Sequence, residues 1–138
     1  LQEREAEYDP RVATRIRRGA GASAADYLDL CRARRAWIAS MRERLRAFDA
    51  LLSPTVPMVA PPIAPLVASD ELFHATNALL LRNPSVVNQL DGCAISLPCQ
   101  AEGELPVGLM LWHGALGDDT LLDAALAVEA AIAPAFLT

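Results

Sequence analysis

The segment Asn88–Leu111 has the sequence NQLDGCAISLPCQAEGELPVGLML and contains the clearest structural signals in the chain. Gly92 can adopt the left-handed backbone conformation that ends a helix. The apolar residues 93–97 then predict a strand, and the polar residues 102–104 supply the chemistry of a turn. The almost unbroken apolar run 107–112 predicts a second strand that is buried on both faces. The segment therefore predicts a short helix followed by two strands joined by a hairpin-length turn.

The amino-terminal part of the sequence predicts two helices. Asp9-Pro10 is typical of a helix start, and this short helix would end near a flexible joint at residues 19–22. Ser23 with Asp26 three residues later resembles a capping box and predicts a long helix to about Ala47. Apolar residues recur along this helix at intervals of three, four or seven and predict one inward face: Leu28, Cys31, Ile38, Met41, Leu45 and Phe48.

A proline-rich stretch follows the long helix. Residues 49–53 predict a short strand that ends at the first of five prolines in residues 54–68. Proline lacks a backbone N–H, so these residues predict an irregular, semi-rigid loop. Long ordered loops often line a binding site. Two interpretations of Thr55, Pro57 and Met58 therefore stay open: part of a substrate-channel wall, or a loop that only connects two elements.

Three further helices are predicted, and they cover residues 69–81, 83–91 and 118–133. Ser69 can cap the first of them, and Asp118 or Asp119 can cap the last. Pro134 ends the last helix, because proline interrupts helical hydrogen bonding. The residues of this helix that we expect to face inward are Leu121, Leu122, Ala125, Leu126, Val128 and Ile132.

Helices and strands mix along the chain without a visible internal repeat. The predicted fold class is α/β, in the form of an α+β-like fragment whose helices pack on a small mixed sheet. For 138 residues the expected number of domains is one, and a hydrophobic content of 53% is enough for a sizeable core. An internal piece of a larger fold would show the same composition, because the surfaces facing its missing part would also be apolar.

The net charge of −5 is unevenly distributed. Residues 1–69 contain eleven arginines and eight acidic residues, whereas residues 70–138 contain one arginine and nine acidic residues, giving +3 and −8. Arginine binds phosphate well, so the arginines of the long helix could form a nucleic-acid surface. No recognition motif or interleaved aromatic residue accompanies them. We therefore expect a solvated helix face and no nucleic-acid partner.

The compartment is predicted from the cysteines and the hydropathy pattern. Residues 50–68 are the most apolar stretch, but prolines interrupt it, so we expect no membrane partner. The polar and acidic start of the sequence does not resemble a signal peptide. Cys31, Cys93 and Cys99 are odd in number and lack a metal-binding spacing. Reduced thiols and a cytoplasmic location are expected.

Two motifs in this sequence resemble the amidase signature family. In that family an Asn, a Gly and a Ser-x-Pro precede an LPVGL-type strand, and here Asn88, Gly92 and Ser96–Pro98 precede Leu105–Leu109. A second motif, Asp49–Pro57, has the sequence DALLSPTVP and is followed by Ala-Pro. The resemblance covers residues 23 to 133.

The resemblance implies a domain organisation and a family of activities. Residues 1–22 would form an amino-terminal helical extension, and residues 23–138 would form the carboxy-terminal portion of an amidase domain within the larger α/β fold of that family. Its members include simple amidases, allophanate hydrolases and the amidase subunit of the tRNA-dependent amidotransferase. In this family Asn88 would lie close to the catalytic core, so we interpret it as a neighbour of the substrate pocket with Thr55, Pro57 and Met58.

The chain lacks the catalytic residues that the resemblance implies. The resembled enzymes use a Ser–Ser–Lys triad, but all twelve basic residues here are arginine. The guanidinium group stays protonated in proteins and cannot replace the amine base. The six serines are scattered, so we assign no catalytic residue. Because the chain also begins with Leu1, we expect it to be the tail of a longer amidohydrolase, cut or truncated, and inactive alone.

The parent enzyme would cleave the C–N bond of a small amide substrate through an acyl-serine, without a metal or an organic cofactor. Its missing amino-terminal catalytic part would then be the principal partner of this chain. An alternative hypothesis is a non-catalytic interaction or assembly domain, which could form a homodimer through open sheet edges. Exposed apolar surface would favour that alternative.

A third hypothesis is an independent cysteine hydrolase. It needs His74 or His113 close to Cys93 or Cys99. Both cysteines fall on strand positions predicted to be buried, where cysteine behaves as a small, inert hydrophobe. Two histidines without a CxxC or HExxH motif do not match a zinc site. We therefore expect neither cysteine catalysis nor a metal.

Overall fold

The computed structural model describes residues 3–132, so the predicted helix end at Ala133 and its stop at Pro134 lie outside the described residues. Nine regular elements follow one another in this range, and short 3₁₀ turns at Glu5–Glu7 and Arg18–Gly21 flank the first of them. The elements are α1 (Pro10–Arg17), α2 (Ala24–Leu45), β1 (Leu51–Pro54), α3 (Ile63–Ala68), α4 (Asp70–Leu80), α5 (Arg82–Gln89), β2 (Cys93–Pro98), β3 (Gly108–His113) and α6 (Asp118–Ile132).

The chain divides into two compact units within α2, between Arg35 and Ala36. The first unit contains α1 and the first part of α2, and Ala13 is buried in it. The second unit contains the end of α2, the sheet and the remaining helices. The boundary that the sequence predicts between residues 22 and 23 stays a prediction.

Both amino-terminal helices begin as the sequence predicts. A carboxylate oxygen of Asp9 accepts a hydrogen bond from the backbone N–H of Arg11 at 2.8 Å, which caps α1. Ser23 and Asp26 form the predicted capping box: the Ser23 N–H donates to the Asp26 carboxylate at 2.9 Å, and the Asp26 N–H donates to Ser23 Oγ at 3.1 Å. Arg18–Gly21, which overlaps the predicted joint, forms a 3₁₀ turn, and the flexibility of the joint stays a prediction.

The inward face predicted for α2 is only partly buried. Leu45 is buried, and three further members of the predicted face are half-buried: Cys31, Ile38 and Met41. Leu28 and Phe48 are exposed, contrary to the prediction. The helix ends at Leu45, so Phe48 follows it and does not share its face. Leu28 belongs to the first unit, whose described residues leave it uncovered.

The three strands form one sheet in the order β1–β3–β2, and both pairs are antiparallel. Leu111 of the central strand lies opposite Leu52 of β1 and Ile95 of β2. The bounds of β2 agree with the prediction, whereas β3 begins at Gly108, one residue inside the predicted run. Helices on a small sheet are confirmed, although a mixed sheet was expected and the described strands are all antiparallel.

Pro54 belongs to β1, although the sequence indicated that it would stop the strand. The backbone N–H of Thr55 donates to the carbonyl oxygen of Gly108 at 2.8 Å, so the ladder continues past the proline. Hydrogen-bonded and non-bonded residues alternate along an antiparallel pair, and Pro54 precedes a bonded residue. Its missing N–H therefore costs no ladder bond on this edge strand.

The second half of the proline-rich stretch is helical, which corrects the prediction of a loop over residues 54–68. Helix α3 occupies its last part, with Pro65 as the third residue. The first N–H groups of a helix have no partner within the helix, so a proline in the first turn removes no hydrogen bond. Pro84 occupies the same position in α5.

The main core lies between α6 and one face of the sheet. Leu97 of β2 and Leu111 of β3 are buried against Leu121 and Ala125 of α6. Half-buried residues around this cluster extend it: Ala50, Cys93, Ile95, Ala124, Val128 and Ile132.

Two residues predicted to face this core do not. Leu122 and Leu126 are 51% and 65% exposed. Each follows a buried residue by one position, which on a helix of 3.6 residues per turn is a rotation of about 100°. The inward apolar stripe of α6 is therefore narrower than the sequence indicated.

The end of α5 is also built differently from the prediction. The left-handed residue is Asp91, with a φ of 54°, and Gly92 has an ordinary backbone conformation. Asp is among the residues that enter this region most readily. Gly92 is required for space, since a Cβ atom there would clash with the carbonyl oxygen of His113.

We predict that Ser23→Ala raises the pKa of the Asp26 carboxyl. The hydrogen bonds from the Ser23 hydroxyl and N–H hold this pKa below its ordinary value of 3.8. A lowered folded-state pKa gives a stabilisation that is complete above the ordinary value and is lost as the pH falls through the folded-state value. Carboxyl ¹³C NMR titration measures the shift, and Ser40→Ala on the same helix serves as control. An unchanged pKa in Ser23→Ala would contradict the capping box.

Candidate functional site

The loop after β1 borders a cavity of about 240 Å³ that opens to solvent. Of the four residues predicted to line a substrate pocket, Pro57 and Met58 line this cavity. Seven residues form its wall: Pro54, Val56, Pro57, Met58, Val59, Val107 and Gly108. The cavity thus lies where the loop leaves β1 and where β3 begins.

Thr55, the third predicted pocket residue, attaches the loop to the sheet. Its backbone N–H donates to the carbonyl oxygen of Gly108 at 2.8 Å. Its hydroxyl forms a hydrogen bond of 2.5 Å with the hydroxyl of Ser96 on β2. Thr55 therefore contacts both other strands, and we call Thr55 and Ser96 the hydroxyl pair.

Gly108 makes room for the hydroxyl pair. A Cβ atom at this position would lie 2.5 Å from Ser96 Oγ and 2.5 Å from Thr55 Oγ1, closer than real Cβ contacts. A glycine within a strand often marks a close approach by a neighbouring group. At Gly108 two side-chain hydroxyls fill the space that a Cβ atom would occupy.

Asn83 is a second anchor of the loop that the sequence analysis did not identify. Its side-chain N–H donates to the carbonyl oxygen of Pro54 at 2.7 Å. Asn83 is the second residue of α5, so its side chain projects from the start of a helix toward the end of β1. The Asn-Pro pair indicated a helix start, but nothing in the sequence indicated this distant acceptor.

Asn88, the fourth predicted pocket residue, lies elsewhere on α5. It is exposed, and its backbone carbonyl oxygen accepts a hydrogen bond from the N–H of Asp91 at 3.3 Å. It does not line the cavity described above. Its role beside a substrate stays a prediction.

The hydroxyl pair joins the loop to β2, and the described residues do not make it a nucleophile. A serine nucleophile requires a base in contact with its hydroxyl. Among the described residues the side-chain partner of the Ser96 hydroxyl is Thr55, whose hydroxyl is not a base at neutral pH. His113 is at the other end of β3, five residues and roughly 17 Å from Gly108.

The strand register brings Cys93 and His113 opposite each other, but the Cys93 thiol does not contact the imidazole as a catalytic pair would require. Cys93 and His113 lie opposite each other on β2 and β3. However, the thiol of Cys93 donates its hydrogen to the carbonyl oxygen of Gly114 at 3.4 Å, and not to the imidazole. A catalytic pair needs the thiol in contact with the base.

Among the described residues there is neither a metal-binding cluster nor a helix that could cross a membrane. Within residues 3–132, no cluster of three or more His, Cys, Asp or Glu side chains is arranged to hold a metal ion. In the same range, each helix is too short or too polar to cross a bilayer. The geometry therefore presents a small apolar cavity with uncharged hydrogen-bonding groups beside it.

Sequence comparison assigns the family. The family model described as Amidase matches residues 2–122, which is most of the chain. The chain belongs to the amidase family. The predicted resemblance is thus confirmed, and the two motifs that carried it lie in β1 with the following loop and in the segment from α5 to β3.

The names of the relatives of this amidase-family chain describe more than one activity. This chain is 33% identical over 136 residues to a glutamyl-tRNA(Gln) amidotransferase subunit from Salinispora arenicola, and the match covers 95% of this chain. It is 30% identical over 125 residues to the 2-amino-5-chloromuconic acid deaminase of Comamonas testosteroni, covering 90% of this chain. In both cases the chain spans 27% of the relative's length.

We predict that Gly108→Ala destabilises the protein by about 1–3 kcal/mol, because the new methyl group displaces the hydroxyl pair. Gly19→Ala is the control, since no atom lies within 4 Å of a Cβ atom there, and it should change stability by less than about 1 kcal/mol. Urea denaturation measures both. Combining Gly108→Ala with Ser96→Ala and Thr55→Ala should recover part of the loss. Equal effects of the two glycine substitutions would contradict this role of Gly108.

Proposed function

We propose that this chain is the carboxy-terminal segment of a hydrolase that cleaves carboxamide C–N bonds by acyl-serine chemistry. The match of the amidase family model to residues 2–122 is the observation that supports this most. The chain spans about a quarter of the length of its curated relatives, so most of an amidase lies outside it. The serine nucleophile and the lysine base belong to that remainder in this proposal.

The chemistry belongs to the amino-terminal part of the parent enzyme in this proposal. A serine of the amino-terminal part attacks the carbonyl carbon, and the amide nitrogen leaves with a proton delivered through the lysine and second serine. Water then attacks the acyl-serine and releases the carboxylic acid and the free serine. The 138-residue chain contributes no step, since its twelve basic side chains are guanidinium groups that stay protonated.

The role of this segment is to build part of the substrate pocket. Thr55, Pro57 and Met58 lie on a loop held by hydrogen bonds to Gly108 and from Asn83. An anchored loop supports a pocket wall better than a free one, because less conformational entropy is lost on binding. We retain Asn88 as a pocket neighbour in the complete enzyme.

A second surface is suited to contact the amino-terminal part. A cavity of about 330 Å³ lies beside β1, and its wall includes the apolar residues Phe48, Leu52, Leu111 and Val128 together with Asp49. Leu52 is 58% exposed and lies on an edge strand of the described sheet. Exposed apolar side chains on an open strand edge are typical of a surface that another part of the protein covers.

We further propose a cytoplasmic parent enzyme that does not bind nucleic acid through α2. Cys31, Cys93 and Cys99 are free thiols, as in proteins of reducing compartments. Arg32 on α2 pairs with Asp29 at 2.8 Å, and Arg46, directly after the helix, pairs with Glu43 on α2 at 3.4 Å. These pairs favour a solvated surface over a phosphate-binding one.

The test is an ammonia-release assay on two proteins. The 138-residue chain should release no ammonia from simple carboxamides above the buffer rate. A protein expressed from the coding region extended upstream should contain a Ser–Ser–Lys triad and turn over amides at about 1–10³ s⁻¹. Replacing its nucleophilic serine with alanine is the control and should abolish turnover. Enzyme-like turnover by the 138-residue chain, or an upstream region without the triad, would contradict the proposal.

The exposed edge of β1 also supports a second candidate, an interaction or assembly domain that forms a homodimer. In that case two chains would pair through this edge and cover Leu52. Light scattering during gel filtration should then show a dimer that Leu52→Lys converts to a monomer. Leu116→Lys is the control. Leu116 is highly exposed, and it lies in the turn between β3 and α6, outside strand β1. A monomer at all accessible concentrations would remove this candidate.

A further inference from the structure

The cavity beside the loop has a uniform chemistry. Its wall consists of proline, valine and methionine side chains together with Gly108, so it presents no charged or hydrogen-bonding side chain to a ligand. An apolar wall favours apolar groups, because each carbon buried there leaves water. A charged group would lose its hydration without gaining a partner.

The size of the cavity limits the group that fits. An engineered apolar cavity of about 150 Å³ is large enough to bind benzene in another protein. The cavity here has about 240 Å³ and opens to solvent on one side. A phenyl ring or a branched alkyl group of similar volume therefore fits, and the open side leaves room for the rest of the molecule.

We propose that this cavity is a subsite for the acyl group of the substrate, and that it selects uncharged apolar acyl groups of about phenyl size over amino-acid amides such as glutamine. The identification of the bound group as the acyl part of a substrate rests on the amide-hydrolase function proposed above. The apolar selectivity rests on the cavity alone, and it can be measured on the 138-residue chain without any turnover.

The probe is benzamide, and the readout is the methyl resonance of Met58. The chain has three methionines, so selective ¹³C-methyl labelling gives three signals. Met58→Leu assigns the signal of Met58, and Met41 on α2 is the internal reference. The Met58 methyl should shift saturably with benzamide at concentrations on the order of millimolar, as expected for so small a ligand. Glutamine at the same concentration should leave it unchanged.

Two substitutions in the cavity wall and one matched control test the location. Val107→Asp places a carboxylate in the wall and should weaken benzamide binding at least about tenfold. Val86→Asp is the control, because Val86 and Val107 are equally exposed, at 38% and 37%, and Val86 does not line the cavity. Val59→Asp changes a more exposed position of the same wall. It should also weaken benzamide binding, and it replaces Val107→Asp in the test if that variant fails to fold.

The outcomes separate this proposal from the proposed function. A Met58 response to benzamide that the wall substitutions weaken and Val86→Asp preserves supports the subsite. No Met58 response, an equal response to glutamine, or indifference to both wall substitutions would overturn it. If the longer protein hydrolyses amides while Met58 ignores benzamide, the subsite is wrong and the hydrolase function stands. If Met58 responds but the longer protein is inactive, the cavity assignment stands and the hydrolase function fails.

Discussion

The central strand β3 sets the constraint on which the rest of the second unit depends. It is hydrogen-bonded along both edges, to β1 and to β2. The backbone of its residues must therefore pair with two strands, while their side chains must fit the two faces of the sheet. In its middle, Leu111 is buried against α6 and belongs to the main core. At its start, Gly108 leaves room for the hydroxyl pair, which joins the loop after β1 to β2. One strand therefore connects the stability of the fold to the shape of the candidate site.

Much of the local structure could be predicted from the sequence because its causes are local. The capping box of Ser23 and Asp26, the bounds of β2 and the helix after Ser69 depend on residues within a few positions of each other. The errors arise where tertiary contacts decide. The exposed Leu122 and Leu126 have the same local pattern as buried neighbours, and only the position of the sheet determines which side of α6 is covered. Pro54 fits into β1 because of the hydrogen-bond register with β3.

The candidate site was predictable in part for the same reason. The proline-rich loop indicated either a pocket wall or a simple connection, and the structure places Pro57 and Met58 around one cavity. Asn83 and Ser96 were not predicted, since their contacts join residues separated by 29 and 41 positions. The family resemblance pointed to the residues near β2 and β3 but not to the contact between Thr55 and Ser96. Such pairs follow from strand register, which no single stretch of the sequence specifies.

The backbone hydrogen bond between Thr55 and Gly108 holds the loop after β1 against β3. Amide hydrogen exchange followed by NMR can test this bond, because exchange at Thr55 requires it to open. We predict that the Thr55 amide is protected to the same degree as the amides of β3. If Thr55 exchanged at the rate of an unprotected amide while β3 stayed protected, β3 would not be what holds the loop.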